Sequence, residues 1–366
     1  MSRRPALALL AALTAGGAGM VIAAAPADWN APPPESGRWR VSIDGAGVGD
    51  TVEHEPNAVG GGFEPVRTLP RYVEGDLALA WFPDRDWSLR ASLGHRSLTF
   101  KRDRYEIGSL SLALARVLPS PHRATRLALS LGLRVNHADE LYKNSWTEIG
   151  GNRLTEARLF DAHDASLSLD LASRTPIGSR LTLSTLVGIG WNRSAHRRLH
   201  AAGDDGEGCR YAIAAGDGRS ELALLEPCGS LLAFNEIHAN EHDLEARLNF
   251  APSVDLEQRA LLLRAGVALG YRAGRTDLSL SWRHTHHERD ALDERIRDEG
   301  GTVVDSSRLL SLDVGLRASE RVRLHASVQR RSTAYLDELP LLYSRFTSER
   351  FASDTLSFGL GASLSF

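Results

Sequence analysis

From residue 38 onward the chain alternates apolar and polar residues with a period of two. The clearest run is the last, where Leu356, Phe358, Leu360, Ala362, Leu364 and Phe366 alternate with Thr355, Ser357, Gly359, Gly361, Ser363 and Ser365. Successive strand side chains point to opposite faces, so this spacing predicts a β-strand between two unlike environments. Val322, Leu324, Ala326 and Val328 alternate in the same way with Arg321, Arg323, His325, Ser327 and Gln329. The pattern recurs at Trp39 to Ile43, Leu77 to Trp81, Trp87 to Leu93, Leu110 to Leu114, Leu127 to Val135, Leu167 to Leu171 and Leu181 to Trp191. It continues at Leu244 to Phe250, Leu261 to Tyr271, Leu278 to Trp282 and Leu310 to Leu316, giving thirteen segments in all.

Two architectures produce such alternation. A soluble sandwich buries its apolar face against a second sheet, whereas a transmembrane barrel turns that face to lipid and encloses the polar one. Three features favour the barrel. Several strands reach the nine to eleven residues needed to cross hydrocarbon at a tilt of about 45°. Charges stand at mid-strand on the polar faces, as at Asp243, Glu245 and Arg247, where a wet lumen would hydrate them. Aromatics cluster at strand ends, with Trp81, Phe82 and Trp87 flanking a Pro-Asp-Arg-Asp turn, as an interfacial girdle requires. Lipid also forbids open sheet edges, so the sheet must close.

The composition, 42% hydrophobic and 24% charged over 366 residues with a formal net charge of −3, excludes a disordered chain and a strongly basic nucleic-acid binder. Only two basic residues, Lys101 and Lys143, are lysines. The arginine bias suits carboxylate or phosphate recognition, although a codon preference explains it equally well. Arg3 and Arg4 precede an apolar run that ends at Ala25-Pro26-Ala27, which predicts a cleaved secretory signal peptide over residues 1–27. A Pro-rich leader covers 28–37, and a single barrel domain covers 38–366. No later segment is long and apolar enough for a membrane helix.

With an exported chain, no helical span, amphipathic strands throughout and a final strand TLSFGLGASLSF, the sequence resembles the outer-membrane β-barrel proteins of Gram-negative bacteria, the porin-like class. The resemblance implies an up-and-down antiparallel barrel in the cell outer membrane. It also implies contact with outer-membrane lipid and lipopolysaccharide, and an assembly signal, Phe358, Leu360, Leu364 and Phe366, read by the barrel-assembly machinery. Single-chain bacterial barrels have even strand numbers, so thirteen cannot be the count. Tracing from the two termini places two consecutive strands in the same direction between Arg193 and Asp243. A hidden strand near Ser220 to Leu225 would give fourteen, the preferred count, and twelve is the alternative. On this tracing Pro83 to Asp86, Leu118 to Ala124, Arg174 to Ser179 and Ala318 to Glu320 are short periplasmic turns. The segments 288–306 and 332–353 face outside.

The functional candidates are the polar residues facing the lumen, chiefly Arg90, Arg126, Arg134, Arg247, Arg264, Arg283, Arg317, Arg321 and Arg323. Fixed charges along a pore set its selectivity. The leading expectation is therefore a passive diffusion channel for small hydrophilic, preferably anionic solutes. If the same arginines pair with Asp170, Glu245 or Asp313, they hold a closed barrel together instead. Long loops, about 137–164 and 194–240, would then act as a receptor, adhesion or assembly surface. Cys209 and Cys228 are expected to pair in an oxidising compartment, closing a loop for about 3 kcal/mol.

Catalytic and cofactor motifs are sparse. Gly45 to Asp50 lacks the strand-turn-helix setting of a dinucleotide loop. His238-Ala239-Asn240-Glu241-His242 fits the H-x-x-E-H pattern of inverted zinc peptidases only if it is helical, and it runs straight into an alternating segment. His284 and His286 share the face of Trp282 and suit an interfacial rim better than a metal site. No enzyme, cofactor or metal is expected.

Overall fold

The computed structural model describes residues 38–48, 71–100, 103–120, 122, 124–143, 147–149, 152–204, 210–216, 219–224, 237–239, 250–332, 339–348 and 354–366. In chain order the strands are β1 (Arg38–Val48), β2 (Arg71–Phe82), β3 (Trp87–Phe100), β4 (Asp103–Leu118), β5 (Arg126–Lys143), β6 (Thr147–Ile149), β7 (Asn152–Ile177) and β8 (Leu181–Ala195). There follow β9 (Arg198–Asp204), β10 (Arg210–Gly216), β11 (Arg219–Leu224), β12 (Ile237–Ala239), β13 (Gln258–Ala273), β14 (Thr276–Glu288), β15 (Ser306–Arg317), β16 (Val322–Ser332) and β17 (Asp354–Ser365). Among the described residues a helical turn, α1 (Pro252–Asp255), a helix, α2 (Asp290–Asp298), and a 3-10 turn at Pro340–Leu342 complete the regular elements.

Twelve of the strands close a ring: β1, β2, β3, β4, β5, β7, β8, β13, β14, β15, β16 and β17, with β17 returning to β1. All their pairings are antiparallel. The seam is continuous, from Arg40↔Ser365 to Val48↔Ser357, and Trp39 and Phe366 exchange main-chain hydrogen bonds of 2.9 and 3.0 Å. Within hydrocarbon each unpaired backbone group would cost several kcal/mol, and a closed ring leaves none at an edge.

The count resolves the collision in the tracing. β8 pairs directly with β13, from Gln258↔Ser194 to Tyr271↔Leu181, so the chain between them makes an excursion beyond the ring. The hidden strand near Ser220 exists as β11, but it belongs to that excursion and not to the wall, so fourteen gives way to twelve. The thirteenth alternating segment, Leu244 to Phe250, contributes no ring strand among the described residues. Its Phe250 is buried and lies outside any strand, and residues 241–249 are outside the described residues.

Through the middle of the wall the apolar faces point outward. Leu93, Leu131, Leu167, Val187, Leu269, Leu280, Leu312 and Phe358 are among the exposed large side chains, and Phe366 reaches 58% exposure. A belt of leucines this broad is unstable in water and matches the lipid-facing surface of a transmembrane barrel. No helix among the described residues is long and apolar enough to cross a membrane. At the end where β1 begins and β17 finishes, here the proximal end, the girdle includes Trp39 stacked on Trp81 at 5.6 Å, with Arg116 over the Trp87 ring at 5.1 Å.

Proximal turns are tight, among them Gly178–Arg180, where Gly178 has φ 74°, and Gly274–Arg275, where Gly274 has φ 57°. The first is shorter than the expected Arg174 to Ser179, because β7 continues to Ile177. At the distal end several strands outrun the membrane. β5 and β7 extend through most of the expected loop 137–164, and β9 to β12 occupy much of 194–240. The upper part of β7 pairs with β9, and β9–β12 continue outward as a sheet beside it. That sheet buries Leu154, Leu199, Tyr211 and Ile213 against Phe250 and Leu256.

If twelve strands close the wall, replacing residues 205–236 by a short Gly-Ser linker should leave the barrel folded. Heat-modifiable migration in detergent gels checks this, and a permanently unfolded band would restore the region to the ring.

Candidate functional site

Alternation fixes what enters the lumen. On β5 the odd positions Leu129, Leu131 and Leu133 face lipid, so Arg126, Ser130, Arg134 and Asn136 face inward. The same rule turns Arg90 on β3, Arg264 on β13, Arg283 on β14 and Arg323 on β16 inward. Arg317 lies at the proximal rim, where it donates to the Gly274 carbonyl at 2.8 Å. Arg321 belongs to the turn before β16. Arg126 is exposed at the same rim. Arg247, Cys209, Cys228 and residues 1–37 fall outside the described residues. His238 lies in the strand β12, which removes the helical setting its zinc motif needs. No group of three metal-ligating side chains converges among the described residues.

The lumen is occupied at its distal end. The β14–β15 connection, with α2, and the segment around Leu339–Tyr343 fold into the barrel. There Leu292, Ile296, Val304, Leu339, Leu341, Leu342 and Tyr343 form one buried cluster with inward side chains of β2, β3, β4, β5 and β7. The wall's share is Tyr72, Leu98, Tyr105, Ile107, Ala138, Leu141 and Ala162. Burying a leucine or isoleucine side chain contributes about 1.5–3 kcal/mol, so the stopper is a small hydrophobic core in its own right. Polar contacts fix its position. Leu341 N–H donates to Asp164 at 3.1 Å, Asn136 donates to the same carboxylate at 2.8 Å, and Gln258 donates to the Pro340 carbonyl. Arg289 stacks on the Tyr343 ring at 4.2 Å and donates to Asp293 at 3.1 Å.

Asp255 latches the stopper to the β12–β13 connection. Its buried carboxylate accepts from Ala251 N–H at 2.8 Å, Arg295 at 3.2 Å and Arg345 at 3.3 Å, and Arg345 also meets Glu299 at 3.1 Å. Burial raises the Asp255 carboxyl above the usual carboxylate range despite these donors, and it raises Asp293 and the Tyr343 hydroxyl in the same way.

Toward the proximal end, charges pair across two strands with a glycine between them. Asp170, Gly188 and Arg264 lie in one register row of β7, β8 and β13, and the Asp170 carboxylate crosses the bare Gly188 backbone to meet Arg264 at 3.1 Å. Asp44, Gly361 and His325 repeat the device across β1, β17 and β16. A Cβ on Gly188 or Gly361 would collide with these carboxylates. Arg323 and Arg272 share Asp277 at 3.7 and 2.8 Å. Arg174 stands directly opposite Arg126 and within electrostatic reach of Arg272 and Arg323, so this half of the lumen is richer in cations than in carboxylates.

Much of this site escapes the alternation. Arg174 is hidden by the expected turn, and the stopper lies in segments expected to be loops. Two signals could reveal the stopper: Leu292 and Ile296 have i, i+4 helical spacing, and Leu339-Pro340-Leu341-Leu342-Tyr343 is too apolar for a solvated loop.

No family model matches the chain, and no curated protein matches it. Among solved structures it is similar to the translocator domain of the autotransporter NalP from Neisseria meningitidis, with 10% identity over 99% of this chain and 94% of that one and a TM-score of 0.48. It is also similar to an outer-membrane channel from Pseudomonas putida F1, with 10% identity, 94% and 100% coverage and a TM-score of 0.46. Outer membrane phospholipase A from Escherichia coli is 12% identical over 92% of this chain and 94% of its own, with a TM-score of 0.29. The architecture itself rests on the chain's own geometry, a closed antiparallel ring with an outward apolar belt, which is that of a transmembrane β-barrel.

Two outcomes test the site. Gly188→Val should displace Asp170 from Arg264 and cost about 1–3 kcal/mol, whereas Gly270→Ala, with no neighbour closer than 3.8 Å, should cost far less. Thermal unfolding in detergent reads both. A carboxyl whose folded pKa is raised takes up its proton first in the folded state, so stability rises as pH falls through that range. Wild type should therefore gain on Asp255→Asn as pH falls through the raised carboxyl range toward the ordinary carboxylate value of 3.8, by about 1.4 kcal/mol for each unit of elevation once that value is passed. A wild type that loses ground contradicts the burial account of Asp255.

Proposed function

We propose that the protein is an outer-membrane barrel, exported by its N-terminal signal peptide and inserted through the lipid-facing pattern of Phe358, Leu360, Leu364 and Phe366. The distal end faces the cell exterior, and in the resting state the lumen does not conduct. The supporting observation is the stopper: a hydrophobic core, latched at Asp255, sits where a diffusion channel needs water. Inward arginines such as Arg264 and Arg323 are engaged by carboxylates, as in a barrel held closed by its own ion pairs. The distal sheet built from β7 and β9–β12 then supplies the working surface for a receptor, adhesion or assembly partner.

The cation-rich proximal lumen favours a second reading, an anion-selective channel that conducts once the stopper leaves. Planar-bilayer recording decides between them. Purified wild type should be silent, and Leu339→Ser/Tyr343→Ser should open steps if a continuous path lies beneath the stopper. Anion preference in those steps, reduced by Arg323→Glu, supports the gated channel. Discrete steps from the wild type would overturn the closed resting state.

A further inference from the structure

The outer wall carries a second, unrelated cluster of charge, at the distal margin of the apolar belt. Arg193 on β8 and Arg259 on β13 are directly opposite partners, and both are exposed on the lipid-facing side of the wall. Immediately proximal to them in the same register lie Trp191 and Leu261, which are 46% and 38% exposed and belong to the belt. Like charges facing each other across a strand pair are destabilising, and neither guanidinium has an ion pair among the described residues. A juxtaposition of this kind is stable when an anion lies between the two cations.

The neighbouring strands extend the patch. His137 on β5 and His163 on β7 are also direct partners, one outward step beyond the arginine row. They line an open cleft of about 580 Å³ with Asp161, His196 and Arg197. Of the nearby carboxylates, Asp161 lies 3.9 Å from Arg197 and Glu257 3.5 Å from His196, while Glu288 stands opposite Leu261, one row proximal to the Arg193–Arg259 pair.

We infer that Arg193 and Arg259 bind the phosphate of an outer-leaflet glycolipid whose acyl chains lie along Trp191 and Leu261. The depth carries the assignment. The pair sits one strand step above exposed apolar side chains, at the level where headgroup phosphate meets hydrocarbon, and guanidinium groups match phosphate geometry in two hydrogen bonds. The inference rests on the bilayer reading of the belt and is independent of whether the lumen conducts.

Native mass spectrometry of the full chain, released from detergent with bisphosphorylated lipid A, tests it. Wild type should retain one lipid, and Arg193→Gln/Arg259→Gln should lose it by on the order of thirtyfold. Arg193→Lys/Arg259→Lys should keep most of the affinity. Arg308→Gln, which alters an exposed arginine beside Ser332 and His284, should change nothing. Heat-modifiable migration shows separately that each variant is a folded barrel, so a soluble or unfolded chain reports against the membrane reading and not against the site. Equal retention by the Gln variant, or equal binding of the dephosphorylated lipid, overturns the assignment. Displacement by millimolar inorganic phosphate would reveal a simple anion site and overturn the lipid.

Discussion

The structure depends on one constraint: a backbone passing through hydrocarbon can leave no amide or carbonyl without a partner. That requirement makes the β8–β13 pairing decisive, because it closes the wall across an excursion of some sixty residues and leaves the ring with an even number of strands. It also explains why the seam at Trp39 and Phe366 is paired to its last residue. Wherever the chain leaves the ring it does so at the ends, where water or other protein satisfies the freed groups.

Inside the ring the problem is reversed. Inward charges must be hydrated or paired, and the chain pairs many of them across two strands by leaving the middle strand without a side chain. Gly188 and Gly361 are in this sense part of the ion pairs they separate. The distal lumen is dealt with differently, by filling it. Tyr343, Ile296 and Leu339 bury their side chains completely, and the charges around them, Asp255, Arg289 and Arg345, are held in hydrogen-bonded sets and not exposed to a channel.

Outside and inside therefore carry different chemistry on the same strands. A lipid-facing step along β8 passes from Trp191 to Arg193, and the inward step between them is the buried Asn192. The arginine pair at the belt margin and the filled mouth both lie on the distal side of the wall.

The period-two pattern by itself determined the fold class, the outward direction of the leucines and the inward direction of Arg90, Arg134, Arg264, Arg283 and Arg323. Those properties follow from strand geometry, which is local. It could not determine that β8 pairs directly with β13, because Leu244 to Phe250, between them in the chain, carries the same alternation as a true wall strand. Nor could it place Leu339 to Tyr343 in the lumen, since a short apolar run does not state which surface it covers. Only the tertiary structure decided that β8 meets β13, that two distal segments fold inward, and that Arg193 and Arg259 share one row, because each depends on contacts between residues far apart in the chain.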